Sequence, residues 1–252
     1  MEGPNATQLD LLATLVSESG RRSTVQLAGS FAYQEGARPK LKELVGMGSV
    51  ALKLYLTLVM ATRREPHALY RGTSAARFAR TLGFDDGELD DPRSAGTRRV
   101  QRAIHALHGK SFIVRTPRPG RVDQIEVRHF PVQEPPYVTL PLDLWRNGWI
   151  CVLSVRALAV YVCLRRHCKG NEDEGFHVTP WVRRRAYQLA EDTWTGGLED
   201  LELAGLLTRT KGNPADRNAP SRRRSIYTLH SNRMARPPEA SSVASDRPEA
   251  PF

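Results

Sequence analysis

The chain has few cysteines, few aromatic residues and no long apolar run. Its three cysteines are Cys151, Cys163 and Cys168. An odd, sparse count excludes a disulfide scaffold and fits a reducing compartment. Aromatic residues make up 7% of the sequence. No apolar stretch reaches the roughly 18–20 residues that cross a bilayer. The first residues, MEGPNATQLD, lack a basic run feeding an apolar one, so no secretory signal is expected. No Gly-rich phosphate loop of nucleotide-binding type occurs. Carboxylates are plentiful but scattered, without a convergent pair or an activated nucleophile, so no enzyme is expected. Cys163, His167, Cys168 and His177 raise the question of zinc. Cys163 lies in an apolar helix and the set lacks paired Cys-x₂₋₄-Cys spacing, so ordinary thiols are expected, with no metal and no cofactor.

What is abundant is positive charge. In 252 residues, 37 Lys and Arg face 27 Asp and Glu, a formal net charge of +10. Apolar residues are 40% of the chain, enough for a sizeable core. The basic excess fits a polyanion, either nucleic acid or a membrane surface. Most of it is Arg, whose fork suits phosphate and guanine edges.

Two stretches read as one pattern used twice. The apolar helix SVALKLYLTLVMATRR (49–64) corresponds to SVRALAVYVCLRRH (154–167), so that Leu52, Leu54, Tyr55, Leu56 and Leu58 fall on Leu158, Val160, Tyr161, Val162 and Leu164. Downstream, Val100, Ile104, Leu107, Phe112 and Ile113 fall on Trp194, Leu198, Leu201, Leu206 and Leu207. In both copies the first three of these lie on one helix face. A strand follows, FIVRT or LLTRT, then a basic turn and a second strand, VDQIEVR or SIYTL. The middle helices are TSAARFARTLG (73–83) and TPWVRRRAYQL (179–189). The first is expected to bury Phe78, Ala79 and Leu82, the second Trp181, Val182 and Leu189, with Asp192 capping the helix after it.

The expected fold is mainly α with small β-hairpins: two tandem winged helix-turn-helix units at 45–132 and 133–230. An N-terminal extension, 1–44, would pack on the body or join two protomers. Within it, QLDLLATLVSE (8–18) suits an amphipathic helix, while TVQLAGSFAYQ (24–34) fits strand or helix equally. The segment 135–154 reads as an ordered linker whose Trp145 and Trp149 pack the units together. Residues 231–252, rich in proline, read as a disordered tail.

A recognition helix enters the major groove and a wing lies along the backbone. In the first unit the helix 94–109 should turn Thr97, Arg98, Gln101, Arg102 and His105 outward, with Arg118 and Arg121 in the wing. The acidic run DDGELDD (85–91) before it is read as a solvated loop. In the second unit the third helix offers Thr193, Gly196, Gly197, Asp200 and Glu202, a poor set for reading bases. Its Gly pair weakens the helix by roughly 1 kcal/mol per Gly against Ala and fits either close approach to DNA or a protein-facing surface. Positive charge lies instead at Arg183, Arg184 and Arg185, and at Arg217, Arg222, Arg223 and Arg224.

The passages RRVQRAIHALHGKSFIVRT and TWTGGLEDLELAGLLTRT resemble tandem winged-helix proteins of plasmids and related mobile elements, especially replication initiators, and phage or actinobacterial transcription regulators. The resemblance covers roughly 45–230 and is architectural. It implies sequence-specific binding of double-stranded DNA in replication initiation or transcription control. It would assign Arg98, Gln101 and Arg102 to base reading and the arginines at 222–224 to backbone contact. Implied partners are DNA, a second copy as homodimer, and the replication or transcription machinery, in the cytoplasm and on the nucleoid. The alternative is an interaction or oligomerisation adaptor with only generic DNA affinity.

Overall fold

A computed structural model describes residues 3–63, 67–69, 74–85, 91–120, 122–128, 137–168, 172, 175–212 and 224–239. The elements follow the periodicities of the sequence. α1 (Ala6–Ser19) begins with a reciprocal cap, in which Asn5 accepts from Gln8 N and Gln8 accepts from Asn5 N. The ambiguous segment after it is strand and then helix: β1 (Thr24–Leu27) and α2 (Gly29–Ala32). α3 (Lys40–Gly46) leads into α4 (Ser49–Ala61), which is buried along almost its whole length. β2 (Ala68–Leu69), α5 (Ala75–Thr81), α6 (Ala95–Gly109), β3 (Ile113–Thr116) and β4 (Gln124–Val127) complete the first half. The linker is ordered as β5 (Val138–Pro141), α7 (Asp143–Arg146) and α8 (Trp149–Val152). The second half holds α9 (Val155–His167), α10 (Pro180–Val182), a π-helical turn over Arg183–Tyr187, α11 (Glu191–Leu203), β6 (Leu207–Gly212) and β7 (Arg224–Leu229).

Among the described residues the sheets are small and antiparallel: β1 with β5, β2-β4-β3, and β6 with β7. The order helix, extended residue, helix, helix, hairpin occurs twice. Where β2 pairs with β4 in the first half, Phe176 alone bridges Tyr227 of β7 in the second. Each residue pair matched in sequence is buried on both sides, from Leu52 and Leu158 to Ile113 and Leu207. Hydrogen bonds repeat as well. Phe112 N donates to Leu107 O, and Leu206 N to Leu201 O, both at 2.9 Å. The hairpins close alike, with Arg128 N on Phe112 O and His230 N on Leu206 O, again 2.9 Å. The matched tyrosines both reach the chain just past a hairpin: Tyr55 OH donates to Arg128 O at 3.1 Å, and Tyr161 OH lies 2.7 Å from Ser231 Oγ, one residue beyond the counterpart of Arg128.

Residues 3–44 are built into the body. β1 pairs with β5 throughout, from Thr24–Pro141 to Leu27–Val138. α1 packs on α4, α5 and α7, and α3 touches both α4 and α9. Arg21 satisfies the end of α4, donating to Met60 O (2.8 Å) and Val59 O (2.9 Å). Trp145 and Trp149 are buried as expected; Trp145 Nε1 donates to Thr57 of α4 at 3.1 Å. One apolar core runs through both halves.

The C-terminal segment departs from the expected disorder. Ser231–Ala235 form a 3₁₀ turn with Met234 buried. Asn147 Nδ2 donates to Met234 O (2.6 Å) and Trp149 Nε1 to Arg236 O (2.8 Å). A Cβ placed on Gly3 would lie 3.5 Å from Pro238 O, so the two described ends are neighbours. Residues 240–252 of the expected tail lie outside the described set.

Candidate nucleic-acid interface

α6 is positioned by its start. Ser94 accepts from Thr97 N at 2.9 Å and donates to Thr97 Oγ1 at 3.0 Å, while that hydroxyl donates to Asp91 O at 2.7 Å. Thr97 is therefore buried, and the expectation that it faces outward is corrected: its hydroxyl is consumed in the cap. Asp91 also accepts from Arg93 N at 2.8 Å, so the end of the acidic run shapes the turn; residues 86–90 lie outside the described set. Gly96 lets the turn close, since a Cβ there would stand 2.1 Å from Phe84 O.

Val100, Ala103, Ile104 and Leu107 face the core, leaving Arg98, Gln101, Arg102 and His105 exposed. Arg98 is steadied by Nη1 on Arg93 O at 2.6 Å. Arg99 lies on the flank with its guanidinium 5.3 Å from the Phe84 ring centre. Between α6 and the β3–β4 hairpin is a cleft of about 440 Å³ lined by Gln101, His105, Arg115 and Asp123. Arg115 pairs with Asp123, and its Nη1 lies 3.4 Å from His105 Nε2. Sequence reasoning missed Arg115 and Asp123; alternation along β3 was the signal that places Arg115 beside the helix. Arg118 is half-buried in the hairpin turn, and Arg121 lies outside the described residues.

The second half is arranged differently. Its middle helix is only one turn followed by a π turn, which buries Ala186 and Tyr187. The expected inward set is corrected: Trp181 is 50% exposed, and Val182 and Leu189 are only partly buried. The extra residue of the π turn moves the register, and Tyr187 takes the core position with its hydroxyl on Cys163 O at 3.1 Å. Arg184 and Arg185 are exposed. Arg183 is engaged, with Nη1 on Glu191 at 2.8 Å and its guanidinium 5.6 Å from the Trp194 ring centre.

α11 begins after Ala190, so Asp192 sits in its first turn and is not the cap. Both glycines are buried against α9; a Cβ on Gly197 would meet Arg156 O at 2.5 Å. They serve helix packing within the chain. Asp200 is clamped by Arg156 at 2.7 and 2.8 Å and by Ser154. Burial opposes its charge, but the Arg156 and Ser154 bonds and the guanidinium charge hold the carboxyl below its ordinary value. Glu202 accepts from Arg209 at 3.1 Å. Thr193 is half-buried, and the exposed residues are Glu191, Asp192, Thr195, Glu199 and Leu203. Arg217, Arg222 and Arg223 lie outside the described residues; Arg224 opens β7.

The chain matches no family model, no curated protein and no solved structure. Among the described residues no group of three or more His, Cys, Asp or Glu is placed to hold a metal ion. Burial pushes the Cys163 thiol well above its ordinary pKa. No described helix is long and apolar enough to cross a membrane.

Proposed function

We propose that this chain binds double-stranded DNA sequence-specifically through two winged helix-turn-helix units, acting in replication initiation or transcription control. One observation carries the reading: α6 turns Arg98, Gln101, Arg102 and His105 to solvent beside a hairpin at its C-terminal end. Arg forks match guanine O6 and N7, and Gln matches adenine N6 and N7. The adjacent hairpin is the wing, with Arg118 near the backbone. Arg184 and Arg185 supply phosphate contacts from the second unit. α11 does not read bases, because its exposed side is acidic.

Footprinting against a pool of genomic fragments should reveal a protected site. Arg98→Ala or Arg102→Ala should relax base preference within it, at roughly 1–3 kcal/mol per lost bidentate contact. Equal, weak binding to every fragment would sink the reading. A second reading, an adaptor that binds protein, is favoured by α11, where Leu203 is 82% exposed beside Glu199. Failure to bind any duplex at low salt would favour it.

A further inference from the structure

Trp181 is the anomaly of the molecule. Trp145, Trp149 and Trp194 are at most 3% exposed, whereas Trp181 is 50% exposed. Its ring lines a cleft of about 570 Å³, with Arg184, Arg185, Lys42, Leu189 and Glu35 around it. The cleft is held from both sides. Gln34 N donates to Ala186 O at 3.1 Å, and Gln188 Nε2 to Ala37 O at 2.7 Å. Tyr33 packs edge-on against Tyr187 with ring centres 5.7 Å apart. Gln188 adopts a left-handed backbone (φ 55°) that ends the π turn. π turns concentrate at functional positions, and this one buries Ala186 and Tyr187 while Arg184 and Arg185 stay at the surface.

We propose that this cleft takes an unpaired nucleobase stacked on Trp181, with the flanking phosphates on Arg184 and Arg185: a single-stranded nucleic-acid site separate from the α6 face. An exposed aromatic face among cations is the combination that holds a single strand without reading its sequence. A base inside a duplex is already stacked on both faces and cannot enter a concave site unless it is extruded. Arg also stacks on bases and binds phosphate through its fork. Glu35 is the one carboxylate among the lining residues. It accepts from Tyr33 OH at 2.7 Å, repels phosphate at its own end, and so directs the strand's backbone toward the arginine pair. Arg184 and Arg185 are shared with the phosphate contacts proposed for duplex, whereas Trp181 belongs to this cleft and not to the α6 face, so the Trp181 variant distinguishes failure of one site from failure of the other.

The test is titration of the full chain with thymidine and uridine oligonucleotides of about ten residues, and with a duplex of equal length. Tryptophan emission and fluorescence anisotropy are the readouts. Because the other three tryptophans are buried, quenching by a single strand reports Trp181. Trp181→Ala should weaken single-strand binding about tenfold and leave duplex affinity unchanged. Trp181→Phe should stay within about threefold, since a ring remains. Arg184→Gln with Arg185→Gln should lower the salt slope by about 0.7 per lost phosphate contact. Preference for thymidine or uridine strands assigns the source as DNA or RNA. The proposal is overturned if single strands do not quench wild-type emission, if Trp181→Ala binds them like wild type, or if the variant loses duplex by the same factor. Should Trp181→Ala fail to fold, the wild-type quench and the arginine variant decide.

Discussion

Single residues decide how closely the helices approach. Gly197 sits where a Cβ would stand 2.5 Å from Arg156 O and 2.6 Å from Val160 Cγ2. Gly197→Ala should push α11 off α9 and cost about 1–3 kcal/mol in urea unfolding. Gly109, with nothing within 4 Å of an added Cβ, is the control: Gly109→Ala should gain about 0.5 kcal/mol by stiffening the unfolded chain. Lys53 offers a second test. It donates to Cys151 O at 2.6 Å, and burial pushes its pKa down from 10.5 to about 8. Above pH 8 the folded protein releases this proton while the unfolded chain keeps it, so this contribution to stability rises with pH. Burial also raises Cys151 from 9.0 to about 11, which acts in the opposite sense above pH 9. Between about pH 8 and 9, wild type should therefore gain stability relative to Lys53→Met; a flat difference in urea midpoints would refute the assignment.

Secondary elements were legible where their periodicity was long. α4, α6, α9 and both hairpins follow the apolar spacing, and the pairing of Val100 with Trp194 or Phe112 with Leu206 was readable because core positions repeat. What was not legible has physical causes. Thr97 stands three and seven residues before Val100 and Ile104, on their face of the helix, but its polar side chain masks that placement, and the hydroxyl is drawn into the cap with Ser94 and Asp91. A π turn adds one residue to a turn, which no 3.6-residue pattern anticipates; Tyr187 is buried and Trp181 is exposed. At this scale, Ser94→Ala removes the cap of α6 and should cost about 1 kcal/mol. The Arg156–Asp200 pair stabilises α9 against α11 fully above pH 3.8, and this is lost as pH falls through the lowered folded value of Asp200. Asp200→Asn should flatten that acid limb in pH-dependent unfolding.

For the whole molecule, residues 3–44 pack on the body, one of the two roles expected of the extension, and Met234 joins the same core. Sequence periodicity is local, and the pairing of β1 with β5 joins residues more than a hundred positions apart, so nothing near Val25 in the chain announces its partner. One core implies one cooperative unit. Calorimetry should show a single unfolding transition, and removal of residues 1–44 should unfold the protein, because it strips β1 from β5 and α1 from α4. Two separated transitions would contradict this. The meeting of Gly3 with Pro238 has a topological consequence. The described chain is almost a ring, so a short peptide could join its ends. New ends could then open in the exposed Pro119–Gly120 turn, and a circular permutant should keep every contact of the core.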